Sequence, residues 1–395
     1  MKNKTSLTLI FLTVFIDLLG FGILIPILPT FATVKLQMDE TSIGIVLAVY
    51  SFMQFIFNPL FGKLSDKYGR KPLITFSLLL NAIGYVIFSF TNSFELLIIS
   101  RIIGGIGGSS VSVAMAYIAD ITTKEKRSHG MGLIGAAFGL GFVFGPLIGG
   151  ILSKYGYQVV GFGSAAFSFI AFLTTIFFLP ESNLNLKKPE NAKRKILDIE
   201  GLKKVFSHPN VGMLIILFFV MTFSMANIYG TFALIGNQHY HFSDLQNGYM
   251  YGILGLVSAL VQGGLLRYIS KYVEQKNILK IGSVSMMIGL GLIPYGGSFA
   301  GLAIIVSIMS FGGAILQPTI LSMISNIAPD TEQGITLGTN QSLSSLARVL
   351  GPFWGGFAFQ YFGYQWPFLT GGIFLALIVG ASFLYIPRKL KLVES

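Results

Sequence analysis

Residues 42–90 read SIGIVLAVYSFMQFIFNPLFGKLSDKYGRKPLITFSLLLNAIGYVIFSF. Two apolar runs, at about 42–61 and 72–90, flank a turn that carries Lys63, Lys67, Arg70 and Lys71 together with Asp66. A run of about 20 apolar residues matches the helix length needed to cross the hydrocarbon core of a bilayer. Such unbroken apolarity exceeds that of an ordinary buried helix, and the strands of an outer-membrane barrel would alternate instead. The stretch therefore predicts a helical hairpin in a membrane, with its charged turn in water.

The same unit recurs outward from this hairpin. Spans are expected at about 7–29, 42–61, 72–90, 94–118, 130–152 and 158–180, then at about 210–236, 245–266, 278–296, 299–326, 333–359 and 365–386. The expectation is an all-α integral membrane protein of twelve transmembrane helices. The first span holds Asp17, Pro26 and Pro29 and lacks a small-x-small cleavage site, so it reads as a retained helix and not as a signal peptide.

Composition agrees. Of 395 residues 53% are hydrophobic and 11% charged, whereas a soluble domain carries about a quarter charged. The absence of cysteine excludes disulfides, thiol catalysis and cysteine-based metal sites. His129, His208, His239 and His241 are too few and too peripheral for a metal cage, and no nucleophile–base pair or extramembrane domain marks an enzyme. The net charge of +11 is a matter of sidedness: 23 Lys and Arg fall in one set of loops and termini, against Lys35 and Lys154 in the other. By the positive-inside rule both termini are cytoplasmic, and the basic balance does not call for nucleic acid.

Residues 181–209, ESNLNLKKPENAKRKILDIEGLKKVFSHP, form the one long polar stretch. It reads as a cytosolic linker, with an amphipathic surface helix over Ile196–Phe206, between bundles at 1–180 and 210–395. The halves are related: at an offset of 206, Gly107, Gly132, Gly145, Pro146, Gly149, Gly150 and Tyr155 recur as Gly313, Gly338, Gly351, Pro352, Gly355, Gly356 and Tyr361. Two pseudo-symmetric six-helix bundles around a central cavity are expected.

Four elements carry candidate chemistry. In the 62–72 turn, Gly62 and Gly69 permit a close-packed turn and Asp66 and Arg70 can bridge or cap helix ends; a generic basic loop would explain the cations but not the glycines and aspartate. In span five, Gly141, Gly145 and Gly149 share a face and allow a helix to approach, Pro146 removes a backbone bond, and Gly150 follows. In span one, Asp17 lies about ten residues, roughly 15 Å, from the cytosolic end, near the midplane. A carboxylate there must face the bundle, pair or protonate. Desolvation favours the acid and a nearby cation the carboxylate, which makes either a proton switch or a permanent salt bridge possible. In span four, Arg101 precedes Gly104, Gly105, Gly107 and Gly108 and lies within reach of Asp17; no preceding strand and no P-loop point to a nucleotide.

The chain resembles the major facilitator superfamily. Gly62, Leu64, Asp66, Gly69, Arg70 and Lys71 match its G-x-L-x-D-x-x-G-R-K signature without a gap, Arg101 and Gly105 its R-x-x-x-G element, and Gly141 to Gly150 its antiporter pattern G-x-x-x-G-P-x-x-G-G. Asp17 to Pro29 resembles the twelve-helix tetracycline and multidrug efflux branch. The resemblance implies a gating network of Gly62, Asp66, Gly69 and Arg70 with Asp120 as partner to Arg70, and proton coupling at Asp17 tuned by Arg101. The second-half counterpart of the turn, Gly263 to Lys271, lacks the aspartate, so a lopsided network is expected.

Arg348 breaks the internal symmetry, since its counterpart is Phe142. One buried acid, Asp17, faces two buried bases, Arg101 and Arg348. Arg348 is read as a ligand for an acidic or zwitterionic part of the substrate, the structural alternative being backbone carbonyls. Further cavity candidates are Tyr50, Gln54, Asn58, Asn227, Tyr229, Gln317, Asn340 and Gln341, each of which packing would also explain. The reading is a monomer in a bacterial plasma membrane exporting small amphipathic compounds against protons, with the proton gradient in place of a cofactor. The alternatives are export or flipping of an endogenous amphiphile, such as a lipid-linked sugar or metabolite, and nutrient:proton symport.

Overall fold

The computed structural model describes residues 2–183, 205–329 and 333–384. Most of the 181–209 linker, with nearly all of the expected amphipathic helix, lies outside the described residues, as do the C-terminal cations. The first half comprises α1 (Lys2–Leu24), α2 (Ile27–Val34), α3 (Glu40–Tyr68), α4 (Arg70–Ser89), α5 (Phe94–Gly107), α6 (Ser110–Ile121), α7 (Lys124–Leu152) and α8 (Tyr157–Phe178). The second comprises α9 (Pro209–Gln238), α10 (Asp244–Leu260), α11 (Leu266–Tyr272), α12 (Gln275–Leu292), α13 (Phe299–Ile327), α14 (Gln333–Phe362) and α15 (Trp366–Leu384). A π-helical turn at Val261–Leu265 joins α10 to α11. No strand occurs among the described residues.

Ten of these stretches are long and apolar enough to cross a membrane, and the protein is a multi-pass, all-α membrane protein. The helices at the positions of the eleventh and twelfth expected spans differ from the ten. α14 carries Thr336, Thr339, Asn340, Ser344 and Ser345 along its length, and the described apolar part of α15 is Trp366–Gly380. Large apolar side chains point outward, Phe177 at 72% and Leu377 at 67% exposure, as suits a lipid solvent.

Local sequence explains the element ends. Pro26 has no backbone N–H and separates α1 from α2, and Thr30 and Thr33 donate to the carbonyls of Pro26 and Pro29 just beyond the break. Asp39, Ser93 and Ser298 cap α3, α5 and α13 by accepting from Ser42, Leu96 and Gly301 backbone amides. α5 gives way to α6 at Gly108 and Ser109. A Cβ on Gly107 would come within 2.6 Å of the Asn81 backbone nitrogen, so glycine there lets α4 sit directly against the break.

The chain divides into two compact units, residues 1–196 with 236–252, and residues 197–235 with 253–395. The first differs from the linear partition expected from the sequence, because 236–252 groups with it. Within that unit Gln238 donates to Glu40 at 2.9 Å, the Asp244 carboxyl group lies beside Thr30 and Tyr157, and Gly248 lies against the Pro146 carbonyl. The apolar core of the first unit joins Ile10, Val14 and Leu18 of α1 to Leu78 of α4, Tyr117 of α6 and Ala137 of α7. The second unit has a smaller cluster of Val261, Ile278, Ala314 and Ile315.

Candidate functional site

Asp17 is 5% exposed, on a helix otherwise apolar around it. Its carboxylate does not face lipid; three helices supply donors. Asn81 Nδ2 on α4 reaches both oxygens, at 3.0 and 3.1 Å, Ser110 Oγ on α6 donates at 3.1 Å, and Ser168 Oγ on α8 donates at 2.8 Å. Each oxygen thus accepts twice, and every donor is neutral and itself buried. A lone charge at mid-membrane costs about 3 kcal/mol on insertion scales; hydrogen bonds to an ionised acceptor, at about 1.5–3 kcal/mol each, are of the size needed to offset it.

Arg101 is likewise buried, yet it makes no ion pair with Asp17. Its Nη2 donates to Ser100 Oγ at 2.8 Å, and its guanidinium lies 5.9 Å from the Tyr85 ring centre and 5.7 Å from that of Phe88. Aromatic faces attract a cation through their quadrupole, by about 2 kcal/mol when desolvated. Tyr50, stacked on Phe21 at 5.3 Å, feels the charge of both Asp17 and Arg101 and so belongs to the same polar cluster. Gln54 bonds the Tyr50 hydroxyl and the Gly108 carbonyl, while Asn58 lies two turns from Tyr50 on the same helix, its backbone carbonyl accepting from Ser112.

The turn after α3 is a charge cluster. Arg70 contacts Asp66 at 2.6 Å, Asp120 at 2.9 Å and Ser65 Oγ at 2.6 Å. Gly69 turns the chain at φ +102°, a conformation that a side chain resists. By contrast nothing lies within 4 Å of a Cβ built on Gly62, which sits inside α3. The cluster has a further member. Glu181, at the end of the described stretch after α8, accepts from the backbone amides of Arg70, Lys71, Ser182 and Asn183 at 2.9–3.0 Å. It thereby caps the start of α4, where an anion is favoured by the unpaired amides. Ser182 Oγ also donates to Asp120, and Asn183 to the Asp66 carbonyl.

The span-five glycines form a seam with α1. A Cβ on Gly145 would come 2.6 Å from Gly22 Cα, one on Gly141 2.9 Å from Leu18 Cβ, and one on Gly149 would strike the Ile23 carbonyl. Gly150 and Pro146 face the start of α10: a Cβ on Gly150 would lie 2.8 Å from Leu245 Cα. The second unit repeats the seam between α14 and α9, where Gly351 packs on Ala226 and Asn227 and Gly355 on Asn227 and Thr231. Asn227 donates to the Pro367 carbonyl and is buried in this packing.

The remaining second-unit candidates are dispersed. Arg348 is half-buried and donates to Ser345 Oγ at 3.1 Å, with Tyr229 close enough to interact electrostatically. Asn340 is buried and its Oδ1 has no partner, whereas Gln341 and Gln317 are exposed.

The family model described as Major Facilitator Superfamily matches residues 10–308 and 267–394. The chain belongs to this superfamily. Among curated relatives, "Multidrug resistance protein 2" of Bacillus subtilis is 26% identical over 98% of this chain and 97% of its own length. "Tetracycline resistance protein, class E" of Escherichia coli is 30% identical over 93% of this chain and 92% of its own. A crystal structure of the human organic anion transporter MFSD10 superposes with a TM-score of 0.70 at 26% identity, covering 97% of this chain and all of the other. The protein is thus a major facilitator superfamily transporter and not an enzyme.

For a superfamily member, the residues that sequence reasoning missed are informative. Asn81, Ser110 and Ser168 hold Asp17, and Glu181 completes the turn cluster. A signal existed for the first three, since each is a polar side chain inside an apolar span. Glu181 sits among other polar residues of the linker, and nothing in its neighbourhood distinguishes it.

Proposed function

We propose that this transporter exports small amphipathic compounds in exchange for protons, alternating its access between the two sides of a bacterial plasma membrane, with both termini in the cytoplasm. The observation that carries the reading is the Asp17 joint. As a carboxylate it accepts four hydrogen bonds from α4, α6 and α8. A proton on one oxygen adds a donor to a ring of donors: a serine hydroxyl turns to accept from it or the Asn81 amide gives up its share of that oxygen, and every remaining bond loses its charge assistance. Proton binding therefore loosens the joint of α1 with three other helices. Losing one charge-assisted bond costs about 1.5–3 kcal/mol, and one proton crossing 100 mV releases about 2.3 kcal/mol. The two are of one size, so a single proton is enough to shift a two-state equilibrium by roughly fiftyfold.

Multidrug and tetracycline resistance relatives over nearly the whole chain support efflux of drug-like cargo. The organic anion transporter supports cargo with an organic, charged character. In this reading Arg101, held over Tyr85 and Phe88, positions the Tyr50 edge of the Asp17 cluster. The deciding experiment is transport in proteoliposomes with an imposed pH gradient and a panel of cationic, neutral and anionic amphiphiles. Asp17→Asn is expected to abolish gradient-driven accumulation while leaving membrane insertion intact. Undiminished transport in that variant, with the pH gradient as sole energy source, removes Asp17 as the proton carrier.

A further inference from the structure

Arg348 is the charge in the second unit that this account leaves unused. A guanidinium carries five N–H donors. That of Arg348, half-buried on α14, makes one hydrogen bond, from Nη2 to the neutral Ser345 hydroxyl. The Ser345 hydroxyl is itself spent on the Gln341 carbonyl one turn earlier. Arg101 has two aromatic faces; among the described residues no ring lies under Arg348.

Among the described residues no carboxylate pairs with Arg348 either. The described acids after residue 205 are Asp244 and Glu274. Asp244 belongs to the first unit, beside Thr30 and Tyr157. Glu274 pairs with Lys276 at 2.6 Å between α11 and α12. A half-buried cation with neither acid nor ring is costly unless something else neutralises it.

We propose that Arg348, with Ser345 and Tyr229 beside it, binds an oxyanion on the cargo, a carboxylate or sulfonate carried by an otherwise apolar molecule. The forked donors of arginine match the two oxygens of such a group, and the tyrosine hydroxyl supplies a polar edge on the neighbouring α9. The proposal rests on the transport reading and narrows its cargo to anionic or zwitterionic amphiphiles.

The test is equilibrium binding, without a gradient, of three dansyl probes of equal size: dansylglycine (anionic), dansylglycinamide (neutral) and a dansyl quaternary ammonium. The purified full chain is held in phosphatidylcholine nanodiscs, and probe fluorescence is titrated. Wild type is expected to prefer dansylglycine to the amide by about tenfold, the worth of one charge-assisted bond. Arg348→Gln should bring that ratio close to one, and Arg348→Lys, which keeps charge but not the fork, should give an intermediate ratio. Equal affinities in wild type, no binding of the anion, or a preference that survives Arg348→Gln each overturn the proposal. Because no proton gradient enters the measurement, failure of proton coupling at Asp17 leaves the outcome of this test unaffected.

Discussion

The turn at 62–72 and its counterpart at 263–271 began as related sequences and reached opposite ends. Gly62, Asp66 and Arg70 have the same spacing as Gly263, Arg267 and Lys271. In the first unit the acid and the arginine pair within one helical turn, Asp120 joins from α6, and Glu181 caps the next helix. In the second, an arginine stands where the acid would be, the segment is a π-helical turn followed by α11, and its side chains are largely exposed. In the first unit Asp66 lies in the last turn of α3 and Arg70 begins α4, so the pair closes across the Gly69 turn; only opposite charges make such a meeting a clasp. The sign at one position, the turn at Gly69 and the partners Asp120 and Glu181 together separate a locked turn from an open one.

That comparison can be broken or sharpened by mutation. The largest effect is expected for Arg70→Ala, which strands Asp66 and Asp120. Removing one partner of a buried pair costs about 3–5 kcal/mol, but Asp66 is 60% and Asp120 28% exposed, so solvent screening reduces the expected loss to about 2 kcal/mol. Thermal melting in detergent should show it, together with at least a tenfold fall in transport. Next comes Gly69→Ala. The new Cβ would sit 2.5 Å from Glu181 Oε2 at a φ of +102°, for a loss of about 1–2 kcal/mol. Gly263→Ala should behave oppositely. Nothing lies within 4 Å of its Cβ, so the variant should melt at the same temperature or higher, gaining up to about 1 kcal/mol. A substantial loss there would mean that the second turn is also tightly built. The smallest effect is expected for Arg267→Asp, which restores the acid four residues before Lys271. An exposed pair of that spacing is worth within about 0.5 kcal/mol, and transport should not change, since among the described residues no acid pairs with Arg267 or Lys271 as Asp120 pairs with Arg70.

Much of this was legible beforehand. Span length and charge sidedness are averages over many residues, and they survive the loss of any one; the helix positions followed from them. The Arg70 partners Asp66 and Asp120 were visible because one lies a helical turn away and the other ends an adjacent span. Glu181 was not, because its partners are the amides of residues 110 and 111 positions earlier, which every sequence possesses. The setting of Asp17 was half legible. Burial in the bundle follows from the cost of a charge in lipid, but a nearby arginine is the obvious donor on paper, while the structure uses an amide and two hydroxyls and turns Arg101 to aromatic rings. The grouping of 236–252 with the first unit was invisible to a linear partition, because it depends on Gln238, Asp244 and Gly248 meeting residues some two hundred or one hundred positions away.

The seam between α1 and α7 has a mechanical consequence. Where Gly22 meets Gly141 and Gly145, backbone touches backbone, with no side chain between them to rotate or compress. Two rods in such close contact cannot move towards each other, and a tilt of one must carry the other with it. The seam runs from Leu18, next to Asp17, to Gly150, where α7 bears on Leu245. Under the proposed coupling, a hydrogen ion gained at Asp17 would be felt along the whole of this seam and not at one helix alone.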